Sequence, residues 1–338
     1  MKAMLLRRIC LLGEVSEPLE LAEVPMPEPV GDEVLIKVLA CGVCHTELDE
    51  IEGRTAPPVL PVIPGHEVIG IVEQCGPDTR LLRVGDRVGV GWIHSSSGDE
   101  DENLSTEFRA TGRDANGGYA EYMTVRDRYA YPVPEVFNDI EAAPLLCAGA
   151  VGYRALKLTN LVNGQSLGLM GFGGSAHIVI QLAKHLFPAS PVSVFARHEE
   201  VRQFAKELGA AWAGDVEERV PTPLDAIIDT TPVWKPIVES LRNLAPGGRL
   251  VINAIRKESF DQQALLELNY HDDLWMEREI KTVANVTHHD IGEFLKIAGD
   301  IPIKPTVEVY PLEEANRALV ELKEGRIQGA KVLRVGFR

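Results

Sequence analysis

The sequence predicts an α/β protein built from a β-rich part and a doubly wound parallel sheet, and three observations carry that prediction. Residues 1 to about 150 hold short apolar runs broken by Gly, Pro and Asp turns, a β rhythm. From about residue 151 the rhythm changes to strand alternating with helix. Between an apolar run, Leu167 to Met170, and a helix-periodic stretch to about Phe187 lies Gly171-Phe172-Gly173-Gly174-Ser175-Ala176.

In order, Glu33 to Leu39 and Val68 to Val72 read as strands, with turns at Gly85-Asp86 and Gly117-Gly118. The glycine-rich turn is a GxGxxA dinucleotide fingerprint. Gly171 makes the turn, Gly173 lets a pyrophosphate approach, and Ala176 lets helix pack on strand, with Gly174 and Ser175 opening the helix. Strand Val192 to Ala196, helix Val201 to Leu208, strand Leu224 to Asp229, turn Pro246-Gly247-Gly248 and strand Leu250 to Ala254 continue the alternation. A strand near Thr282 to Val286 ends the sheet. Helix Ile291 to Ala298, strand Thr306 to Val309, helix Leu312 to Lys323 and strand Lys331 to Val335 follow.

At 338 residues the chain suggests two domains, and 45% hydrophobic content supplies their cores. A net charge of −16 excludes nucleic acid as a partner, because phosphates would be repelled. No apolar run of about 18 residues spans a membrane, and the start MKAMLLRRICLL lacks a signal-peptide cleavage pattern, so the expected address is cytoplasmic. Five cysteines (10, 41, 44, 75 and 147) form no regular framework, which fits reduced thiols and metal chemistry.

Cys44-His45-Thr46 and Gly65-His66-Glu67 gather a thiol, an imidazole and a carboxylate within a short, proline-containing stretch. Zinc favours sulfur and imidazole nitrogen, and a catalytic zinc keeps three protein ligands and one open position. Cys44 and His66 supply two ligands, and Cys147, in the apolar stretch after Glu141, is the candidate third. A buried cysteine standing alone reads as a small hydrophobe; its company gives it the ligand reading. Cys41 also forms a CxxC with Cys44.

The motifs CGVCHTEL, PGHEVIGIV, GDRVGVGWI, NGGYAEY and EAAPLLCAG, followed by the turn at Gly171, resemble in this order the zinc-dependent alcohol dehydrogenases of the medium-chain dehydrogenase/reductase superfamily. The ligand set Cys44, His66, Cys147 matches the Cys₂His catalytic site for which alcohol dehydrogenase is the standard example. The resemblance implies a GroES-like β-barrel catalytic domain over 1–150 and 295–338, a Rossmann cofactor domain over 151–294, and a cleft holding one catalytic zinc and the nicotinamide. It further implies reversible hydride transfer between a primary or secondary alcohol and NAD(P), with a small-molecule alcohol or aldehyde as partner and a dimer or tetramer as assembly. Glu67 is then an alternate zinc ligand or a buried neighbour of the site, and Glu47 orients the histidine ligand. Thr46 takes the alcohol's proton, and His45 meets cofactor phosphate or is a surface histidine. Val283 and Ala284 face the nicotinamide carboxamide, and Trp92 walls the substrate pocket or is a structural aromatic; Thr55, Ile93 and Leu268 to Trp275 are further wall candidates. Rivals are a zinc-free quinone or enoyl reductase of the same superfamily and an NAD(P)-binding protein without turnover.

Three departures qualify the resemblance. Where relatives end the proton relay with histidine this chain has Asp49: the proton leaves by water, or Asp49 and Glu50 accept it, or turnover needs a higher pH, and the plainer reading makes Asp49 a solvated rim charge. Between Trp92 and Gly117 relatives commonly carry a structural zinc lobe; here no cysteine remains, Ser97 and Ser105 stand near its ends, and a solvated loop is expected, although His94 and Asp99 are weak donors. The second Rossmann strand ends in Ala196 and Arg197 instead of a carboxylate, which favours NADP over NAD unless Glu199 or Glu200 reaches the ribose. Ala330 also replaces a family arginine that touches pyrophosphate.

Overall fold

The computed structural model describes residues 1–301, 303–325 and 329–336. The chain divides into two compact units, Met1–Ala150 with Val286–Arg338, and Val151–Asn285.

In the first unit, β1 (Lys2–Leu6) and β2 (Leu19–Glu23) form an antiparallel pair. β3 (Glu33–Val43) runs into helix α1 (His45–Ile51), followed by β4 (Val68–Cys75), β5 (Arg87–Val90), β6 (Ile93–Ser95), β7 (Arg109–Ala110), β8 (Tyr122–Arg126) and β9 (Ala130–Pro132). Short helix α2 (Asp139–Ala142) is capped by Asn138, whose side chain accepts the N–H groups of Ile140 and Glu141. Helix α3 (Ala148–Leu158) carries the chain from this unit into the second.

The second unit alternates β10 (Leu167–Met170), α4 (Ala176–Leu186), β11 (Val192–Phe195), α5 (Glu199–Glu207), β12 (Trp212–Gly214), β13 (Leu224–Asp229), α6 (Lys235–Asn243), β14 (Leu244–Ile252) and β15 (Glu279–Thr282). Its six strands are all parallel, in the order β12-β11-β10-β13-β14-β15. Sheet order departs from chain order at β10, with β11 on one side and β13 on the other, as a doubly wound sheet requires. Met170, Phe195, Ile227, Leu241 and Leu250 form its buried core. The chain then returns through α7 (His288–Asp300), β16 (Val307–Pro311), α8 (Ala315–Lys323) and β17 (Ala330–Arg334). β17 pairs antiparallel with β3, inside a sheet of order β16-β17-β3-β4-β5-β9 with β8 also on β3.

The structure corrects three sequence expectations. The turn at Pro246-Gly247-Gly248 is a bulge inside β14, where the register against β13 shifts. The last strand of the cofactor sheet ends at Thr282, so Val283 to Val286 lie beyond it. The segment Ser95 to Ser105 is not a solvated loop: Glu102 is fully buried within it. The Glu102 carboxylate accepts from Gly98 N at 3.2 Å, Tyr129 Oη at 3.0 Å, His288 N at 2.5 Å and His288 Nδ1 at 2.6 Å. Ser96 Oγ donates to its carbonyl at 2.8 Å.

Candidate active site and dinucleotide turn

Strand register is what first brings the donor residues together. Cys41 of β3 pairs with Val68 of β4, and Gly42 N donates to the Glu67 carbonyl at 2.9 Å. The residues just past the end of β3 therefore meet the residues just before β4, which sets Cys44 beside His66. A Cβ on Gly42 would lie 1.8 Å from Glu67 Oε2, so only glycine leaves room for that carboxylate. Cys147 follows the buried 3₁₀ turn Ala143–Leu146, whose apolar side chains dock it. Cys44, His66, Glu67 and Cys147 thus present one donor atom each, all within 4.8 Å of one another.

Glu47 fixes this arrangement. Its Oε2 accepts Cys44 N at 2.8 Å, and its Oε1 stands 2.5 Å from His66 Nδ1. That contact assigns the Nδ1 proton to Glu47 and leaves Nε2 as the donor atom. His66 Nε2 is buried with no hydrogen-bond partner among the described residues. An orphaned imidazole nitrogen beside two thiols fits a soft or borderline divalent cation such as zinc.

The electrostatics agree. The Cys44 thiol lies well below its ordinary value, chiefly through its hydrogen bond with Cys147 and also through His66, against the effect of burial. The bond to Cys44, together with burial, pushes Cys147 up. Burial opposes charge on His66, yet Glu47 and Cys44 outweigh it and raise the imidazole well above its usual range. Burial first, then neighbouring acids and thiols, pushes up Glu50 and Glu67. Acids outnumber cations in this pocket, which suits a cationic occupant.

Around the cluster, Thr46 Oγ1 lies 3.6 Å from Cys44 Sγ, and His45 is exposed on α1. Trp92 stands 6.3 Å from the His66 ring and 5.5 Å from Phe108, and donates to Glu50 Oε1 at 3.4 Å. Asp49 is not a solvated rim charge. It is 2% exposed and accepts Arg54 Nε at 2.7 Å, because the chain after α1 turns back and returns Arg54 onto the helix. Sequence reasoning missed Arg54 and Gly42. It weighed Glu50 only as a proton acceptor, and the spacing of Glu47 and Glu50 one helical turn apart was the available signal.

In the second unit, Gly171 has φ +83° and donates its N–H to the Phe195 carbonyl at 2.9 Å. A Cβ there would crowd Thr230 and Thr231 at 2.9 Å, whereas one on Gly173 would meet nothing within 4 Å. No side chain caps α4 at Ser175, and Ala176 is fully buried against its neighbours. Open space at Gly173, ahead of the α4 N-terminus, fits a pyrophosphate. Ala196 is buried and donates its N–H to the Gly214 carbonyl at 2.9 Å, while Arg197 is exposed. Val283 N donates to the Ile252 carbonyl at 2.9 Å just past β15, with Ala284 following it. Leu268 and Leu274, expected as pocket wall, pack against the core of this unit.

The alcohol dehydrogenase GroES-like domain family matches residues 31–135. A probable alcohol dehydrogenase, AdhA, of Mycobacterium tuberculosis is 42% identical over 94% of this chain and 92% of its own length. The chain belongs to the medium-chain alcohol dehydrogenases. An alcohol dehydrogenase of Geobacillus stearothermophilus is 32% identical over 97% of this chain and 99% of its own. The alcohol dehydrogenase structure of the archaeon Aeropyrum pernix shares the fold with TM-score 0.85 at 24% identity, covering 99% and 100% of the two chains. At the general level, alcohol and carbonyl oxidoreduction with a nicotinamide cofactor follows from this membership. Among the described residues no helix is long and apolar enough to cross a membrane.

Proposed function

We propose that this alcohol dehydrogenase is zinc-dependent, holds one catalytic zinc through Cys44, His66 and Cys147, and interconverts primary or secondary alcohols with aldehydes or ketones using NADP or NAD. The observation that carries the reading is the convergence of these donors within 4.8 Å around an orphaned His66 Nε2. Zinc supplies Lewis acidity toward the substrate oxygen, and the nicotinamide supplies the hydride acceptor or donor.

The chain's own residues do the rest. Glu47 orients His66 and ties Cys44 to it. Glu67, admitted by Gly42, is the alternate ligand, which its burial among the donors supports. Thr46 is the hydroxyl that receives the alcohol's proton. Arg54 engages Asp49 Oδ1, which supports exit of the proton from Thr46 through solvent over a relay that ends at Asp49. Trp92, beside His66, narrows the substrate space. The turn Gly171 to Ala176 receives the pyrophosphate, with Val283 and Ala284 at the carboxamide and His45 at phosphate. A homo-oligomer in the cytoplasm completes the proposal; β15, an exposed edge strand, supports pairing between copies.

The test is metal content after exhaustive dialysis, paired with benzyl alcohol oxidation before and after chelation. About one zinc per chain with chelator-sensitive turnover is expected. Full turnover without metal would overturn the zinc reading in favour of a zinc-free reductase.

A further inference from the structure

The turn between β11 and α5 holds a charge arrangement that the sequence alone left open. An acid within reach of the adenosine ribose selects NAD, and a cation in its place selects the 2′-phosphate of NADP. Glu199 and Glu200, both exposed, are the acids near the end of β11.

Arg202, one turn into α5, decides what Glu199 does. Its Nε and Nη2 donate to Glu199 Oε2 at 2.9 and 2.6 Å. Its Nη1 donates to the carbonyls of Ala196 and Arg197 at 2.8 and 3.1 Å and lies 3.5 Å from Asp215 Oδ2. The guanidinium is 17% exposed although Glu199 is 71% exposed, so the arginine is the fixed member and the glutamate leans onto it. Two consequences follow. Both bonds converge on one carboxylate oxygen, Glu199 Oε2, so the guanidinium engages that side of the carboxylate and offsets its charge. The two carbonyls that close β11, whose partial negative charge would repel a phosphate, are also satisfied.

We propose that Arg202 sets cofactor preference by holding the Glu199 carboxylate away from the ribose and by offsetting the carbonyl edge of β11, which leaves the exposed Arg197 to meet a 2′-phosphate, so that NADP is bound in preference to NAD. The proposal rests on the dinucleotide reading of Gly171 to Ala176. Arg202 is a positioning residue here; Arg197 makes the contact.

The test is calorimetric titration of the full chain with NADP and with NAD, which needs no turnover. Wild type binds NADP at least about tenfold more tightly, as one charge-assisted phosphate contact provides. Arg197→Ala removes most of that preference by weakening NADP alone. Glu199→Gln and Glu200→Gln leave both affinities within about twofold, since neither carboxylate is a ribose partner. Arg202→Met narrows the ratio about fivefold or more, and Arg202→Lys does not restore it, because a single ammonium cannot span the carboxylate and both carbonyls. Should Arg202→Met fail to fold, the Arg197 and glutamate variants decide alone. A wild type that prefers NAD, with NAD weakened about tenfold in Glu199→Gln or Glu200→Gln, overturns the proposal and leaves the dinucleotide reading standing. Binding of neither nucleotide by wild type overturns both.

Discussion

Two regions of the first unit bury carboxylates, and they treat them in opposite ways. At the donor cluster, His66 Nε2 and Glu50 Oε2 are buried without hydrogen-bond partners among the described residues, and thiols, imidazole and carboxylate converge. At the segment Ser95 to Ser105, Glu102 is equally buried, but four donors from Gly98, Tyr129 and His288 saturate both its oxygens. A buried polar group left unsatisfied costs about 1–3 kcal/mol, so a fold retains a convergence of such groups where a ligand completes it. A saturated acid serves the fold itself. The contrast teaches that convergence and burial do not mark a binding site unless satisfaction is also checked.

The strongest way to break the comparison is to remove a donor. His66→Ala or Cys147→Ala should lower bound zinc from about one per chain to about a tenth and cut kcat by about three orders of magnitude, with the fold retained by circular dichroism. Equal loss of melting temperature and metal would make the cluster a structural site. Next comes the saturated acid. Glu102→Ala strands the His288 donors, while the Tyr129 hydroxyl keeps its bonds to the Ser96 backbone, and should cost about 3 kcal/mol in denaturant unfolding while leaving zinc stoichiometry unchanged. Loss of metal in that variant would erase the distinction between the regions.

Glu47→Gln sharpens the cluster side. It keeps the shape but weakens the grip on His66 Nδ1, and should reduce zinc affinity about 10- to 100-fold in competition with a chelator. The smallest effect concerns Tyr129, whose phenol is pushed up to about 12 by burial and then by the charge of Glu102. A phenol raised in the folded state binds its proton more tightly there than when unfolded. Its contribution is therefore complete below about pH 10 and is lost as pH rises toward 12. Tyr129→Phe should cost about 1.5–3 kcal/mol at neutral pH, since the lost bond is to a charged acceptor, and should flatten the alkaline fall in melting temperature.

Much of the fold was legible because it rests on local pattern. The GxGxxA turn, the strand Leu224–Asp229 and the alternation across the second unit follow from glycine placement and apolar periodicity, which short windows contain. The donors themselves were legible as residue types with metal chemistry. Their neighbours were less so. Asp49 read as a rim charge because nothing local announces that Arg54 turns back to cover it. Glu102 read as part of a solvated loop because its partner His288 lies 186 residues away.

By itself, the sequence determined an α/β chain with a glycine-rich GxGxxA turn at Gly171 and residue types with metal chemistry at Cys44, His66 and Cys147, because propensity, spacing and ligand chemistry belong to the residues. Only the tertiary structure decided that Gly42 admits Glu67, that Arg54 covers Asp49, that Arg202 engages Glu199, and that Glu102 anchors its segment. Each of these depends on which polar atoms meet across paired strands or packed elements, and burial makes an unmet partner costly enough to fix the answer.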